Sequence, residues 1–193
     1  MKYLYFLSLT LTRFELKWYI FVGVVFIISL IIGALRVKKG ALSVAQMLFR
    51  TFFAAYIVLI LLGTIVSRTP QEPFRYNFNI IDNYKAVFTG HFSAQIETLS
   101  NIIMFIPFGL LTPFIIKKEF SKKSRVILTL SAGLLLSMLI ELLQFFTGQG
   151  LFESADVLNN FLGVMIGYCI MLVIVSVIKV LKNRKRIDYV QSK

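Results

Sequence analysis

The chain has 193 residues, of which 58% are hydrophobic and 16% charged, and its mean hydropathy is +0.80. Water-soluble domains carry about 45–50% apolar and about 25% charged residues, and one of this length could not bury the surplus, so the composition excludes an ordinary soluble fold and points to lipid. The net charge of +12 does not redirect the reading to nucleic acid, because the Lys and Arg residues fall between apolar runs, where membrane topology uses them.

In chain order, the first apolar stretch, Tyr3 to Leu11, is short and runs into Arg13, Glu15 and Lys17 without a small-residue cleavage pattern. It reads as an interfacial segment leading into the first span, not as a signal peptide. A helix crosses the hydrocarbon core with about 20 apolar residues at about 1.5 Å rise each. Five stretches qualify: Trp18–Leu35, Leu48–Val66, Leu99–Ile116, Val126–Phe146 and Val157–Leu181. The expected fold is therefore all-α, a polytopic transmembrane bundle of five spans forming one membrane domain over residues 1–193. Arg50 lies near the start of the second span, close enough to snorkel to the interface. The single Cys169 sits inside the last span and can form no intrachain disulfide.

Charge chooses the orientation. Arg36, Lys38 and Lys39 follow the first span, Lys117, Lys118, Lys122, Lys123 and Arg125 join the third to the fourth, and a basic tail follows the fifth. With five spans these regions share one side and hold most of the 21 basic residues. Basic loops stay cytoplasmic during insertion, which predicts an N-terminus outside and a C-terminus in the cytoplasm. Two segments are then external. Residues 67–98 contain Pro70, Pro73, Asn77, Asn79, Asp82, Asn83 and Gly90, chemistry that breaks helices and suits an exposed loop. Thr147 to Ala155 reads as a glycine-rich turn.

Polar residues within spans are costly, so their spacing is informative. Glu97, Asn101, Phe105 and Phe108 recur at helical spacing on the third span. Gly133, Ser137, Glu141 and Gln144 do so on the fourth, and Asp156, Asn160, Gly163 and Gly167 on the fifth. Each set shares one helix face. Glu97, Asn101, Glu141, Gln144, Asp156 and Asn160 all fall near the outer boundary, which predicts a polar pocket among these three helices. Plainer readings exist. Asp156 can complement a helix N-terminus, Asn101 and Asn160 can be interhelical glue, and Gly163-x-x-x-Gly167 permits close helix packing. Pro107 and Gly109 should kink or loosen the third helix. Glu141 demands a partner, a proton or water. His91, the only histidine, lies on the external loop, where it is either solvated or an acid–base group folded over the pocket. Common catalytic and cofactor motifs are missing, and one histidine argues against a conventional metal site, so no metal or cofactor is expected.

Three blocks carry a family pattern: Asn101-Ile-Ile-Met-Phe-Ile-Pro-Phe-Gly109, Ser137-Met-Leu-Ile-Glu-Leu-Leu-Gln144 and Asp156-Val-Leu-Asn-Asn160-Phe-Leu-Gly163. In this order, across roughly residues 95–175, the chain resembles the VanZ-like family. The resemblance implies a small bacterial membrane protein, in the cytoplasmic membrane, associated with tolerance of glycopeptide antibiotics, teicoplanin in particular. It also marks Asn101, Pro107, Gly109, Glu141, Gln144, Asp156, Asn160 and Gly163. Many members carry a Gly-Arg-x-x-Asp-x-Asp-Asp run. Here its positions hold Gln149-Gly150, Glu153 and Ala155 before Asp156, so the arginine that an anionic-ligand role of this turn would use is gone.

Three functions fit the residues. A binding or shielding protein at the outer leaflet would engage a lipid-linked envelope component, such as a cell-wall precursor, or a lipoglycopeptide. An intramembrane hydrolase or transferase would use Glu141 as base and Asp156 or His91 as partner acid, with Asn101, Gln144, Asn160 and Glu97 contacting the ligand. A transporter would use the acids as a proton relay, with a homodimer supplying the pathway.

Overall fold

The computed structural model describes residues 16–66, 72–116 and 119–191, with side chains up to Arg184. The Tyr3–Leu11 segment, and Arg68, Pro70, Lys117 and Lys118, lie outside the described residues. The elements are α1 (Leu16–Lys38), α2 (Val44–Leu61, continued by a π-helical turn, Leu62–Val66), β1 (Tyr76–Asn77), α3 (Ile80–Phe88), α4 (Phe92–Ile115), α5 (Lys122–Thr147), β2 (Phe152–Glu153) and α6 (Ser154–Gln191). Five of the helices are long and apolar enough to cross a membrane: α1, α2 with its π turn, α4, α5 and α6.

Local chemistry sets the helix ends. Ser43 begins α2 with a reciprocal capping box to Gln46. Ser121 caps α5 by accepting from the Ser124 N–H at 3.1 Å. Gly148, at φ 67°, ends α5 in the left-handed conformation that glycine adopts without a Cβ clash.

Packing fixes the relative directions. Gly33 and Ser29 of α1 meet Met47 and Thr51 of α2, so these two helices run antiparallel. Phe49, Phe53 and Tyr56 of α2 meet Phe114, Phe108 and Met104 of α4, again in reverse order. Gly163 and Gly167 of α6 face Ile102 and Ile106 of α4, so that pair is parallel. The end of α1, the start of α2, the end of α4, the start of α5 and the end of α6 consequently share one end of the bundle, and it is the basic end. The other end carries the long connection from α2 to α4 and the glycine-rich turn between α5 and α6, and is called the loop end below.

The core is small: Ile60, Phe105, Phe108, Ile140 and Val164, with Phe53 and Tyr56 against it. Most other large apolar side chains on the spans face outward, as a bilayer requires; α1 buries Gly33 alone. The most extensive helix contact is between α4 and α6. A Cβ on Gly163 or Gly167 would strike the carbonyls of Ile102 or Ile106, and one on Gly109 would strike that of Val164. The two backbones thus touch with no side chain between them.

The loop end differs from a plain loop and turn. Residues 80–88 are helical because Asn79 accepts from the Asp82 N–H at 3.1 Å, so this asparagine starts a helix instead of breaking one. The third span begins at Phe92, seven residues before the apolar run at Leu99, since nothing after Gly90 interrupts a helix. Residues 152–153 of the glycine-rich turn pair in parallel with residues 76–77 of the long connection. The helix α4 continues through Pro107 and Pro113 as a single element.

Gly167→Leu should separate α4 from α6 and cost about 3 kcal/mol or more. Gly23→Ala, whose Cβ would meet nothing within 4 Å, should leave stability unchanged. Thermal unfolding of both variants in detergent checks the pair.

Candidate functional site

The α4–α6 contact sets the register of the site. Glu97 and Asn101 of α4 lie one turn apart, as do Asp156 and Asn160 of α6, and the two helices enter from the same end. The antiparallel α5 brings Ser137 to Asn160, whose Nδ2 donates to Ser137 Oγ at 2.9 Å. One turn nearer the loop end, Glu141 accepts from the Glu153 N–H at 3.0 Å. Still nearer, Gln144 Nε2 donates to the Thr64 carbonyl of the π turn at 2.9 Å.

All of these polar groups except Glu97 and Glu153 are shielded from the surroundings. Glu141, Gln144, Asn159 and Asn160 are each 2% exposed or less, and Asn101, Ser137 and Asp156 are also buried. Glu97 is exposed and Glu153 half-buried at the mouth. Carboxylate oxygens of Glu97, Glu153 and Asp156 lie within 4.8 Å of one another. Among the described residues these three could hold a hard cation, through oxygen ligands alone. Within this cluster three buried atoms have no hydrogen-bond partner among the described residues: Asn101 Nδ2, Gln144 Oε1 and Asn160 Oδ1. An unmet buried polar atom costs about 1–3 kcal/mol, so the cluster retains both donor and acceptor capacity for a bound group.

The connections roof the cluster. Asn77 Nδ2 donates to Glu153 Oε1 and to Asn83 Oδ1, each at 3.2 Å. Phe152 N–H donates to the Arg75 carbonyl at 3.0 Å, and Phe74 N–H to the Phe145 carbonyl at 2.9 Å. From α3, Tyr84 donates its hydroxyl to Asn159 Oδ1 at 2.7 Å. Burial, and then the negative charge of Asp156, push the Tyr84 pKa above its ordinary 10.0, so it remains a donor at neutral pH. Beside this roof, Tyr76, Phe78, Leu142, Phe145 and Phe152 line an apolar cleft of about 360 Å³.

The structure brings together Glu97, Asn101, Glu141, Gln144, Asp156 and Asn160 at one end of the bundle. His91 is not drawn in. It is exposed at the N-cap of α4, with its Nδ1 2.9 Å from Thr89 Oγ1. Pro107, Gly109, Gly163 and Gly167 lie deeper, where the three glycines form the helix contact. Sequence reasoning missed Tyr84 and Asn77, which reach the site from a connection whose fold has no periodic signal. It also missed Thr64, which enters through its backbone. Glu153 was visible only as the acid standing at an acidic position of the VanZ-like run.

This architecture defines a multi-pass helical membrane protein with a polar cluster buried at one end of its bundle. The VanZ/LLP1 family model matches residues 46–176, and the chain belongs to that family. The match takes in α2 as well as the three motif-bearing helices, consistent with the packing of Thr51, Ala55, Ile60 and Thr64 into the bundle. Comparison with curated proteins and with solved structures returns no match.

Ser137→Ala would leave the Asn160 amide without its partner inside the bundle. A loss of about 1 kcal/mol is expected, and a double-mutant cycle with Asn160→Ala, read by unfolding in detergent, should return a coupling of that size.

Proposed function

We propose that this protein acts at the outer leaflet of a bacterial cytoplasmic membrane, with its N-terminus outside, its C-terminus inside and the loop end facing out. There it binds or alters a lipid-linked envelope component and lowers susceptibility to amphiphilic glycopeptides such as teicoplanin. The observation that carries this reading is the junction of two surfaces at the loop end. Buried polar groups with unspent hydrogen-bonding capacity lie beside an aromatic cleft of about 360 Å³. A ligand with a polar head and a hydrocarbon chain suits that junction, because each part meets a matching surface. Orientation follows from the basic residues at the opposite end, and membership of the VanZ/LLP1 family supports the resistance phenotype as the reading to test.

A second reading, an intramembrane hydrolase or transferase on a lipid-linked substrate, is favoured by one feature. Glu141 is 2% exposed and contacts the backbone of Glu153, itself one of three carboxylates gathered within 4.8 Å. A buried carboxylate beside others is the usual setting for a general base. In this reading Asp156 is the partner acid, and Asn101, Gln144 and Asn160 orient the substrate.

The deciding experiment expresses wild type, Glu141→Gln and Asp156→Asn at matched membrane levels in a sensitive Gram-positive host. The binding reading expects wild type to raise the teicoplanin inhibitory concentration several-fold, both variants to lose the effect, and vancomycin, the less amphiphilic drug, to change little. Equal tolerance with and without the protein would sink it. Envelope-lipid profiles of the same strains separate the readings: a lipid product present with wild type and absent with Glu141→Gln supports the enzyme.

A further inference from the structure

The basic end of the bundle holds a second cavity, of about 430 Å³, bounded by the end of α1, the start of α2 and the end of α4. Its walls are half polar in kind: Arg36, Arg50 and Gln46 face Leu42, Ile115 and Ile116. Arg50 is the unusual member. It lies on the second turn of α2, and its Nε is buried without a hydrogen-bond partner among the described residues. A guanidinium is always charged and offers five donors in a planar fork, so a buried N–H on it is costly unless an acceptor arrives from outside the chain. Snorkelling explains how the side chain reaches the interface, but it leaves that N–H unsatisfied. The lining acid, Glu119, is exposed and ion-pairs with neither arginine among the described residues. Two guanidinium groups against one carboxylate leave the cavity net positive. The apolar wall would exclude a freely hydrated anion and favour one that brings its own hydrocarbon.

We propose that this cavity is a binding site for the phosphate of an anionic phospholipid. The phosphate accepts from Arg50 and Arg36, and the acyl chains run down the α1–α2 side of the bundle. By the charge-based orientation the lipid comes from the cytoplasmic leaflet, where basic pockets between transmembrane helices hold such headgroups. A phosphodiester fits because its two free oxygens match the guanidinium fork. This site lies at the opposite end from the polar cluster and does not depend on what that cluster binds.

The full chain, in nanodiscs of equal parts phosphatidylglycerol and phosphatidylcholine, tests the assignment by native mass spectrometry of retained lipid. Wild type should retain phosphatidylglycerol in preference, and this retention should fall about fivefold for each of Arg36→Gln and Arg50→Gln, the effect of removing one arginine near an anionic lipid. Lys182→Gln removes the same charge from α6 outside the cavity and should leave retention unchanged. Arg36 is exposed, so its substitution keeps the fold and the result interpretable even if Arg50→Gln unfolds. Equal retention of both lipids by wild type, or equal losses in all three variants, would overturn the proposal. Added inorganic phosphate should not displace the lipid; displacement at millimolar phosphate would assign the cavity to a free anion instead.

Discussion

The contact of α4 with α6 is the constraint on which the other features rest. A bilayer offers helices no hydrophobic gain on association, because lipid is as apolar as leucine. What remains is close packing. Gly109, Gly163 and Gly167 let each backbone seat against the carbonyls of the other helix. The parallel pair so formed is held in one register, and α5 lays Gly133 against Val164 of that pair. The lateral position of every polar group on these helices is decided by that seam.

From the register follows the polar cluster. Glu97 and Asp156 reach the same level because their helices start at the same end. Glu141 reaches the same end because α5 runs the other way, and there it meets the backbone of Glu153. Water cannot satisfy such groups at depth, so the chain does so itself: Ser137 serves Asn160, Thr64 serves Gln144, and the backbone of Glu153 serves Glu141. Within this cluster Asn101 Nδ2, Gln144 Oε1 and Asn160 Oδ1 are left without a partner among the described residues, and the proposed binding role rests on them.

The two ends of the bundle divide the labour by charge. Carboxylates and amides gather under the roof built from the long connection, while arginines gather where α1, α2 and α4 meet. Each end places an apolar wall beside its polar groups: Phe145 and Phe152 at one, Ile115 and Ile116 at the other. That pairing suits amphiphiles, and it separates the proposed functional site from the proposed phospholipid site.

Much of this was legible in the residue order. Five apolar runs required five spans, since only a helix of about 20 residues satisfies its backbone across lipid. Spacings of three and four on the last three spans named the buried faces, because a helix repeats every 3.6 residues. Of the third-span stripe, Asn101, Phe105 and Phe108 are buried while Glu97 is exposed at its outer end; the stripes through Ser137 and Asn160 are buried as the periodicity required. The tertiary structure alone decided how residues 72–91 fold. Their helix and two-residue strand depend on partners far away in the chain, Phe145, Phe152 and Asn159, and no local period announces such pairings. For the same reason Tyr84 and Asn77 joined the site unforeseen, and His91, conspicuous as the only histidine, stayed at the surface with Thr89. Helical periodicity encodes which face is buried, whereas only packed distant segments determine what that face meets.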